Sequence, residues 1–392
     1  MRSRRGILAA AAFLLAAVAA CTPAQAPAPP EPEPVRPQWR EVSLPHPPGE
    51  VARVIVRDAV RCGDRWYLSG AVADRRGDTR PAAWSSGDGV SWQVMATDPH
   101  TFWGRVQVLY SVACKDGRLA ALGAKSGGAH AYPRTSSWRQ RPDGVLEDVI
   151  AGWELFGGPR AVNVARLVSG PGGYLITGNR AAGAAVWLSP DAREFRIVEG
   201  APELSSDDRG NTWNFDATAT DGGWLMVGGL IAPGRIDRDP LAWRSADGER
   251  WTRVPAPGSA EYDEFQRVTV AGGSAYAVGL TGPVFGAWRL VGERWEPAGT
   301  FGGTRGGGGA AQVRAAVAAG DRVLAAVSDG SRFTLWRSAS GDRWRQVEAP
   351  VPMPAGADRA VSAVSDGRRV VLLTDDGANG RVWVAEWDPG VD

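Results

Sequence analysis

Apolar and polar positions alternate with a period of two along most of this chain, as in Glu264-Phe265-Gln266-Arg267-Val268-Thr269-Val270. Gly, Asp and Pro break the alternation at short intervals, the signal of half-buried strands joined by turns. After each such run comes a tight turn and then an apolar stretch ending in Gly, for example Ala275-Tyr276-Ala277-Val278-Gly279-Leu280. A third stretch carries a tryptophan, and a fourth opens on an aromatic, as in Trp251-Thr252-Arg253-Val254. No amphipathic helical period interrupts this pattern.

The third stretch recurs. Trp84, Trp138, Trp187, Trp243, Trp288, Trp336 and Trp383 follow one another at intervals of 54, 49, 56, 45, 48 and 47 residues. A period of that length marks a circular or stacked architecture. The turn between the first two stretches is short in all seven units, from Cys62-Gly63-Asp64 to Asp366-Gly367. Four strands per unit around an axis predict an all-β fold, a seven-bladed β-propeller of four-stranded antiparallel blades. The last unit stops after its third strand, while Gln38 to Leu44 reads as a fourth strand. The N-terminal strand is therefore expected to pair into the last blade and leave no free edge.

The turn before the fourth strand carries its own motif. It reads Ser86-Gly87-Asp88-Gly89-Val90-Ser91-Trp92, Ser189-Pro190-Asp191-Ala192-Arg193-Glu194-Phe195, Ser245-Ala246-Asp247-Gly248-Glu249-Arg250-Trp251 and Ser338-Ala339-Ser340-Gly341-Asp342-Arg343-Trp344. These turns resemble the Asp-box, or BNR repeat, of sialidase-like and sortilin-like propellers, with one residue fewer between Asp and Trp. Unit two has Glu147 at the aromatic position, and unit five has a shortened Val291-Gly292-Glu293-Arg294-Trp295. Ser and Asp oxygens suit the turn because they can accept its backbone N–H groups. The motif is a scaffold signature, shared by enzymes and non-enzymes.

The first 37 residues do not fit the repeat. Arg2, Arg4 and Arg5 precede an apolar stretch from Gly6 to Ala17, too short for a convincing span, which ends in Val18-Ala19-Ala20-Cys21. This resembles the lipobox of bacterial lipoproteins. The resemblance implies a signal peptide over 1–20, a lipid on Cys21 and localisation outside the cytoplasm at the bacterial cell membrane. Pro23, Pro27, Pro29, Pro30, Pro32, Pro34 and Pro37 make 21–37 an extended tether, leaving 38–392 as the propeller. A body so held is anchored to the membrane rather than spanning it.

Charge narrows the partners. The whole chain carries 44 basic and 43 acidic side chains, and losing three arginines with the signal leaves a net charge of −2. Near-neutrality argues against nucleic acid, which wants a basic surface. Cys62 and Cys114 remain as an even pair, at equivalent positions of two successive units. An oxidising compartment favours a disulfide between them, with two separate buried thiols as the other reading.

Function is expected where the units differ. The tight turns lie on one face, and the longer, unlike loops lie on the other, where specificity resides. Aromatics beside polar groups there nominate Trp103, Arg105, Trp153, Arg160, Asp207, Asp208, Trp213 and Tyr262 as binding residues. A protein or glycan ligand, held by a monomeric non-catalytic module, is the favoured reading. An envelope assembly factor is another.

The sialidase resemblance implies a third. Arg57, Arg267 and Arg314 align in first strands, with Asp216 at the same position of unit four, and three arginines can grip a carboxylate. Phe195-Arg196-Ile197-Val198 lacks the family's proline, and Tyr262 with Glu264 is only a weak candidate for the chemistry a glycosidase needs. No catalytic residue is assigned. His46, His100 and His130 lack metal-ligand spacing, and Gly306 to Gly309 lacks a phosphate-loop context. Asp207-Asp208 and Asp375-Asp376-Gly377-Ala378-Asn379 suggest calcium but fit no EF-hand, and read more simply as turns. No cofactor or metal is called for.

Overall fold

Seven blades of four antiparallel strands, arranged as a β-propeller with a short fifth strand at the outer edge of blade two, make up the computed structural model. It describes residues 32–126, 133–304 and 309–387. Glu33 onward forms one unit. The signal segment, Cys21 and the tether up to residue 31 lie outside the described residues, as do His130 and Gly306 to Gly308. Among the described residues no helix is long and apolar enough to cross a membrane.

The first strands of the blades line the axis: Arg53–Cys62, Val108–Lys115, Ala161–Gly170, Asn211–Thr220, Asp263–Ala271, Gln312–Ala319 and Ala360–Ser365 for blades one to seven. Each is followed outward by its own second and third strands. Arg40–Val42 supplies the fourth strand of blade seven, antiparallel to Gly380–Glu386, with Glu41 opposite Trp383. The expected closure is present. Docking starts before that strand: Val35 exchanges backbone hydrogen bonds with Gln346 and Glu348 of blade six, both 2.8 Å.

Packing is sheet against sheet. Leu188 and Leu175 of blade three share a buried cluster with Trp243 and Trp251 of blade four. Val364 and Val371 of blade seven likewise pack with Trp66, Trp84 and Trp92 of blade one. Three of the repeating tryptophans add a polar tie. The indole N–H of Trp84, Trp187 and Trp243 donates to the carbonyl of Pro45, Leu155 and Glu203 at 2.8, 2.6 and 2.8 Å. Each acceptor lies in the loop that leads into the same blade.

The tight-turn motif behaves as its chemistry requires. The Asp88 carboxylate accepts the N–H of Val90 and Ser91 at 2.8 and 2.7 Å, while Ser86 Oγ accepts that of Gly89 at 2.9 Å. Asp247 and Ser245 repeat the arrangement in blade four. The N–H groups of Ser91 and Val90 hold the Asp88 carboxyl well below its usual range, and those of Arg250 and Glu249 do the same for Asp247. A depressed native pKa gives stability that is present above the unfolded value, near 3.8, and is lost as pH falls below it. The variants D88N and D247N are therefore expected to flatten the loss of stability below about pH 4, read by urea unfolding across that range. An unchanged acid limb would assign acid lability to other carboxylates.

Six of the seven first strands contain a β-bulge, an extra residue that the second strand does not match. Blade seven has none. Opposite five of the bulges stands the glycine that ends the second apolar stretch: Gly70, Gly123, Gly178, Gly228 and Gly279. A Cβ at Gly70, Gly228 or Gly279 would fall within 1.9 Å of a first-strand carbonyl, so the close approach of the bulged backbone demands glycine there. Side chains bridge the bulges from blade to blade. Asp58 accepts the N–H of Val112 at 3.0 Å, Ser111 that of Leu167 at 3.0 Å, Asp216 that of Val268 at 3.3 Å and Gln266 that of Val313 at 2.6 Å. Ser362 closes the ring by donating to Asp58 at 3.0 Å.

Cys62 and Cys114 form a disulfide across the ends of the first strands of blades one and two, with Cα atoms 5.7 Å apart.

Candidate functional site

The loop leaving blade one does not go straight to the axis. Thr97–Asp98 first adds a parallel strand to the outer edge of blade two, beside Leu146–Asp148. Asp148 then pins the next turn of the loop: its carboxylate accepts the N–H groups of His100 and Thr101 and the Thr101 hydroxyl, the last at 2.6 Å. This turn leads into Phe102 and Trp103, of which Trp103 lies against the third strand of blade two, Pro133–Gln140. The Arg134 guanidinium lies 5.8 Å from the centre of a Trp103 ring.

From the other side comes the loop between blades two and three, which contains the one-turn helix Trp153–Phe156. Trp187 holds that turn through the Leu155 carbonyl, and Phe156 packs 6.1 Å from the Trp187 ring. Between the two loops lies a pocket of about 210 Å³ walled by Trp103, Trp153, Phe156 and Ile150, with Thr101, Arg134 and Thr135 as polar lining. Trp153 is 64% exposed, Ile150 74% and the neighbouring Phe102 66%. Arg134 Nε is buried without a hydrogen-bond partner among the described residues.

Of the eight residues nominated from the sequence, this pocket gathers Trp103 and Trp153. Arg105 is exposed beside it and is not part of its lining. Arg160 pairs with Glu199 at 3.5 Å. Asp207 binds Arg209 at 2.6 Å and approaches Arg253 at 3.5 Å, so arginines occupy the place suggested for calcium, while Asp208 is exposed. Asp375 likewise faces Arg53 and Arg57.

Trp213 and Tyr262 belong to a separate cluster between blades four and five. Arg238 stacks 5.3 Å from Trp213, reaches Tyr262 Oη at 3.0 Å and pairs with Glu264 at 2.7 Å. The other Glu264 oxygen accepts from Gln266 at 2.5 Å. Burial, then the Glu264 charge, pushes the Tyr262 hydroxyl up to about 12.

Asp98, His100 and Glu147 bring possible ligand atoms within 4.8 Å of one another. However, Arg141 reaches both Asp98, at 2.8 Å, and Glu147, and Arg139 binds Glu147 as well. Two guanidinium groups thus stand where a metal cation would. Glu147, which replaces an aromatic in the turn motif, is the hub of this ion network.

On the axis, Arg57, Arg267 and Arg314 do converge, joined by Arg166, which the alignment of units does not single out. They line a cavity of about 250 Å³ with Tyr110, Phe215 and Ser362. Their expected equivalence does not hold. Arg57 and Arg314 are bulge residues, whereas Arg267 occupies the next position, shared with Asp58 and Asp216. Arg166 holds that position in blade three.

No protein-family model and no curated protein sequence matches the chain. Among solved structures it is similar to the extracellular domain of a hybrid two component system from B. thetaiotaomicron, at 8% identity and TM-score 0.51 over 91% of this chain and 40% of that one. A Trypanosoma rangeli sialidase mutant displaying trans-sialidase activity gives 10% identity and TM-score 0.47 over 90% of this chain. The chain spans 60% of that sialidase's length. The β-propeller domain of the Trilobed protease from Pyrococcus furiosus gives 11% identity and TM-score 0.45, covering 86% and 96% of the two chains. At such identities the likeness concerns the fold alone.

Proposed function

We propose that this chain is a non-catalytic binding propeller, anchored outside the cytoplasm through a lipid on Cys21, that takes a glycan in the pocket between Trp103 and Trp153. The observation that carries this reading is the convergence of two independent loops, each bringing a tryptophan, on one concavity of about 210 Å³. Indole faces suit the C–H face of a sugar ring, and Arg134, Thr101 and Thr135 offer donors and acceptors to its hydroxyls. Nothing in this wall supplies a free carboxylic acid, which glycoside hydrolysis requires.

Trp153→Ala and Trp103→Ala are each expected to reduce glycan-array signal and calorimetric affinity by about tenfold or more. Trp153→Ala should leave the thermal midpoint unchanged, because that side chain is mostly exposed. Retained affinity in both variants, or a matching loss of stability, would remove the pocket from the binding surface. Capture of a protein sensitive to both variants, with a blank glycan array, would replace the glycan by a protein partner.

A sialidase-type hydrolase is the second reading, because Tyr262 and Glu264 do lie side by side. Their state argues against it. A nucleophilic phenol needs a lowered pKa or a free base, whereas Tyr262 is pushed up and both Glu264 oxygens are engaged. No turnover of a fluorogenic sialoside is expected. Turnover abolished by Tyr262→Phe would overturn the non-catalytic reading.

A further inference from the structure

The tryptophan pocket holds one charged side chain, Arg134, and no carboxylate. Arg134 is half-buried on the third strand of blade two, with its guanidinium beside the Trp103 ring. It forms no ion pair among the described residues, and its Nε is buried without a hydrogen-bond partner. Acidic residues of the flanking elements are committed elsewhere. Glu147 binds Arg139 and Arg141, and Asp148 holds the turn at His100 and Thr101. Glu154, on the one-turn helix, packs beside Gly158 and is not part of the lining. The pocket therefore carries one uncompensated positive charge.

The backbone beneath that charge is held by the blade itself. Trp138, the repeating tryptophan of blade two, donates its indole N–H to the Gln107 side chain at 3.0 Å. Gln107 is fully buried and passes the tie on. Its amide donates to the Arg134 carbonyl at 2.8 Å and to Ser136 Oγ at 3.0 Å. A Cβ at Gly123 would come within 2.5 Å of the Gln107 side-chain oxygen, so glycine there leaves the room this relay needs. Backbone tie and Trp103 ring together present the guanidinium at one place in the wall. A charge half out of water without a counter-ion is unfavourable until an anion joins it.

Building on the glycan reading, we infer that Arg134 is the specificity-determining residue of this pocket and that its ligand is a uronic acid glycan. A uronate carries its carboxylate on the sugar ring, close to the mean plane of that ring. It keeps the flat C–H face that an indole prefers and adds the anion that Arg134 lacks. The guanidinium presents its donors in a planar fork, so it takes the carboxylate through paired, charge-assisted hydrogen bonds. That pairing sets the register of the ring against Trp103 and Trp153. A neutral sugar fits the same walls but leaves the charge unmet. The pocket shares no lining residue with the axial cavity.

Calorimetric titration of the intact protein with oligogalacturonate and oligoglucuronate, each beside its methyl ester, tests this. The ester keeps the ring and loses the charge. At least one acidic oligomer is expected to bind about tenfold or more tightly than its ester, a preference that shrinks as salt is raised. Arg134→Gln should bring acid and ester to equal affinity, and Arg134→Lys should restore only part of the preference, since lysine keeps the charge without the fork. Both variants should keep the native thermal midpoint, because Gln107 binds the backbone of residue 134 and not its side chain. Arg75→Gln, at a side chain 86% exposed on the same face and outside the lining, should leave the acid-to-ester ratio unchanged. Equal affinity for acid and ester in the native protein, or a preference that survives Arg134→Gln, would overturn the inference and leave a neutral-sugar pocket. Neutral glycans bound on the array with neither uronate bound would do the same. An equal loss of preference in Arg75→Gln would overturn it too, by assigning the preference to general surface charge. A blank array with no acid or ester bound would instead remove the glycan reading, and this inference with it.

Discussion

Asp58→Ala is expected to destabilise the propeller by about 3–5 kcal/mol, because it strips the half-buried Arg166 of its nearer carboxylate and cuts a bridge between blades. Asp58 sits in blade one yet touches three others. One oxygen accepts from the backbone of Val112 in blade two, and the other accepts from Ser362 in blade seven. Arg166 of blade three lies 3.5 Å away. Removing the carboxylate leaves a backbone N–H, a hydroxyl and a guanidinium short of a partner at the point where the ring closes. Urea unfolding followed by tryptophan fluorescence measures the loss. Asp58→Asn separates the contributions, since the amide oxygen can still accept from Val112 while the charge is gone. If Asp58→Asn is as stable as the native protein, the charge on Asp58 has no structural role and the hydrogen bonds carry the effect. If Asp58→Ala costs less than about 1 kcal/mol, a typical single hydrogen bond, the blade-to-blade bridge is not a determinant of stability.

Removing the Cys62–Cys114 bond by a double serine substitution is expected to cost about 2–4 kcal/mol. The bond closes a segment of 52 residues, and chain entropy alone places the effect near the upper end of that range. It spans neighbouring first strands, so it also restrains the seam between blades one and two. The expected signature is a lower urea midpoint with no change in glycan binding, because neither cysteine lines the tryptophan pocket. A loss below about 1 kcal/mol would show that the closed chain already holds this seam, as the two ends of an engineered crosslink often do.

Scaffold features are legible in the sequence because they repeat. Seven tryptophans, seven tight turns and the displaced fourth strand at Gln38 to Leu44 specify blade number and closure on their own. The bulges are not legible. An inserted residue that leaves composition and alternation almost intact shifts the alignment by one position. Arg267 consequently aligns with Arg57 rather than with Asp58, and Arg166 escapes notice. The clue is the glycine within the second strand of five blades, which reads locally as a turn signal although it makes room for a bulged neighbour. Trp103 and Trp153 stand out as aromatics in unlike loops. Arg134 and Ile150 do not, because their role depends on the parallel pairing of Thr97–Asp98 with blade two, which no local pattern announces. Tyr262, Trp213 and Asp207 satisfy the same logic but are held by arginines distant in sequence or fixed by local turns.

The indole N–H bonds of Trp84, Trp187 and Trp243 have a bearing on how such a molecule can diversify. Each reads a carbonyl in the loop entering its blade, at Pro45, Leu155 and Glu203. A carbonyl belongs to every residue, so the anchor places no demand on which side chain stands there. The framework grips the path of the loop and is indifferent to its wording. Leu155 and its neighbour Trp153 can therefore be exchanged for other residues while the same stake holds the loop in place. A propeller built in this way can change its ligand by rewriting exposed letters, with its tryptophan spine untouched.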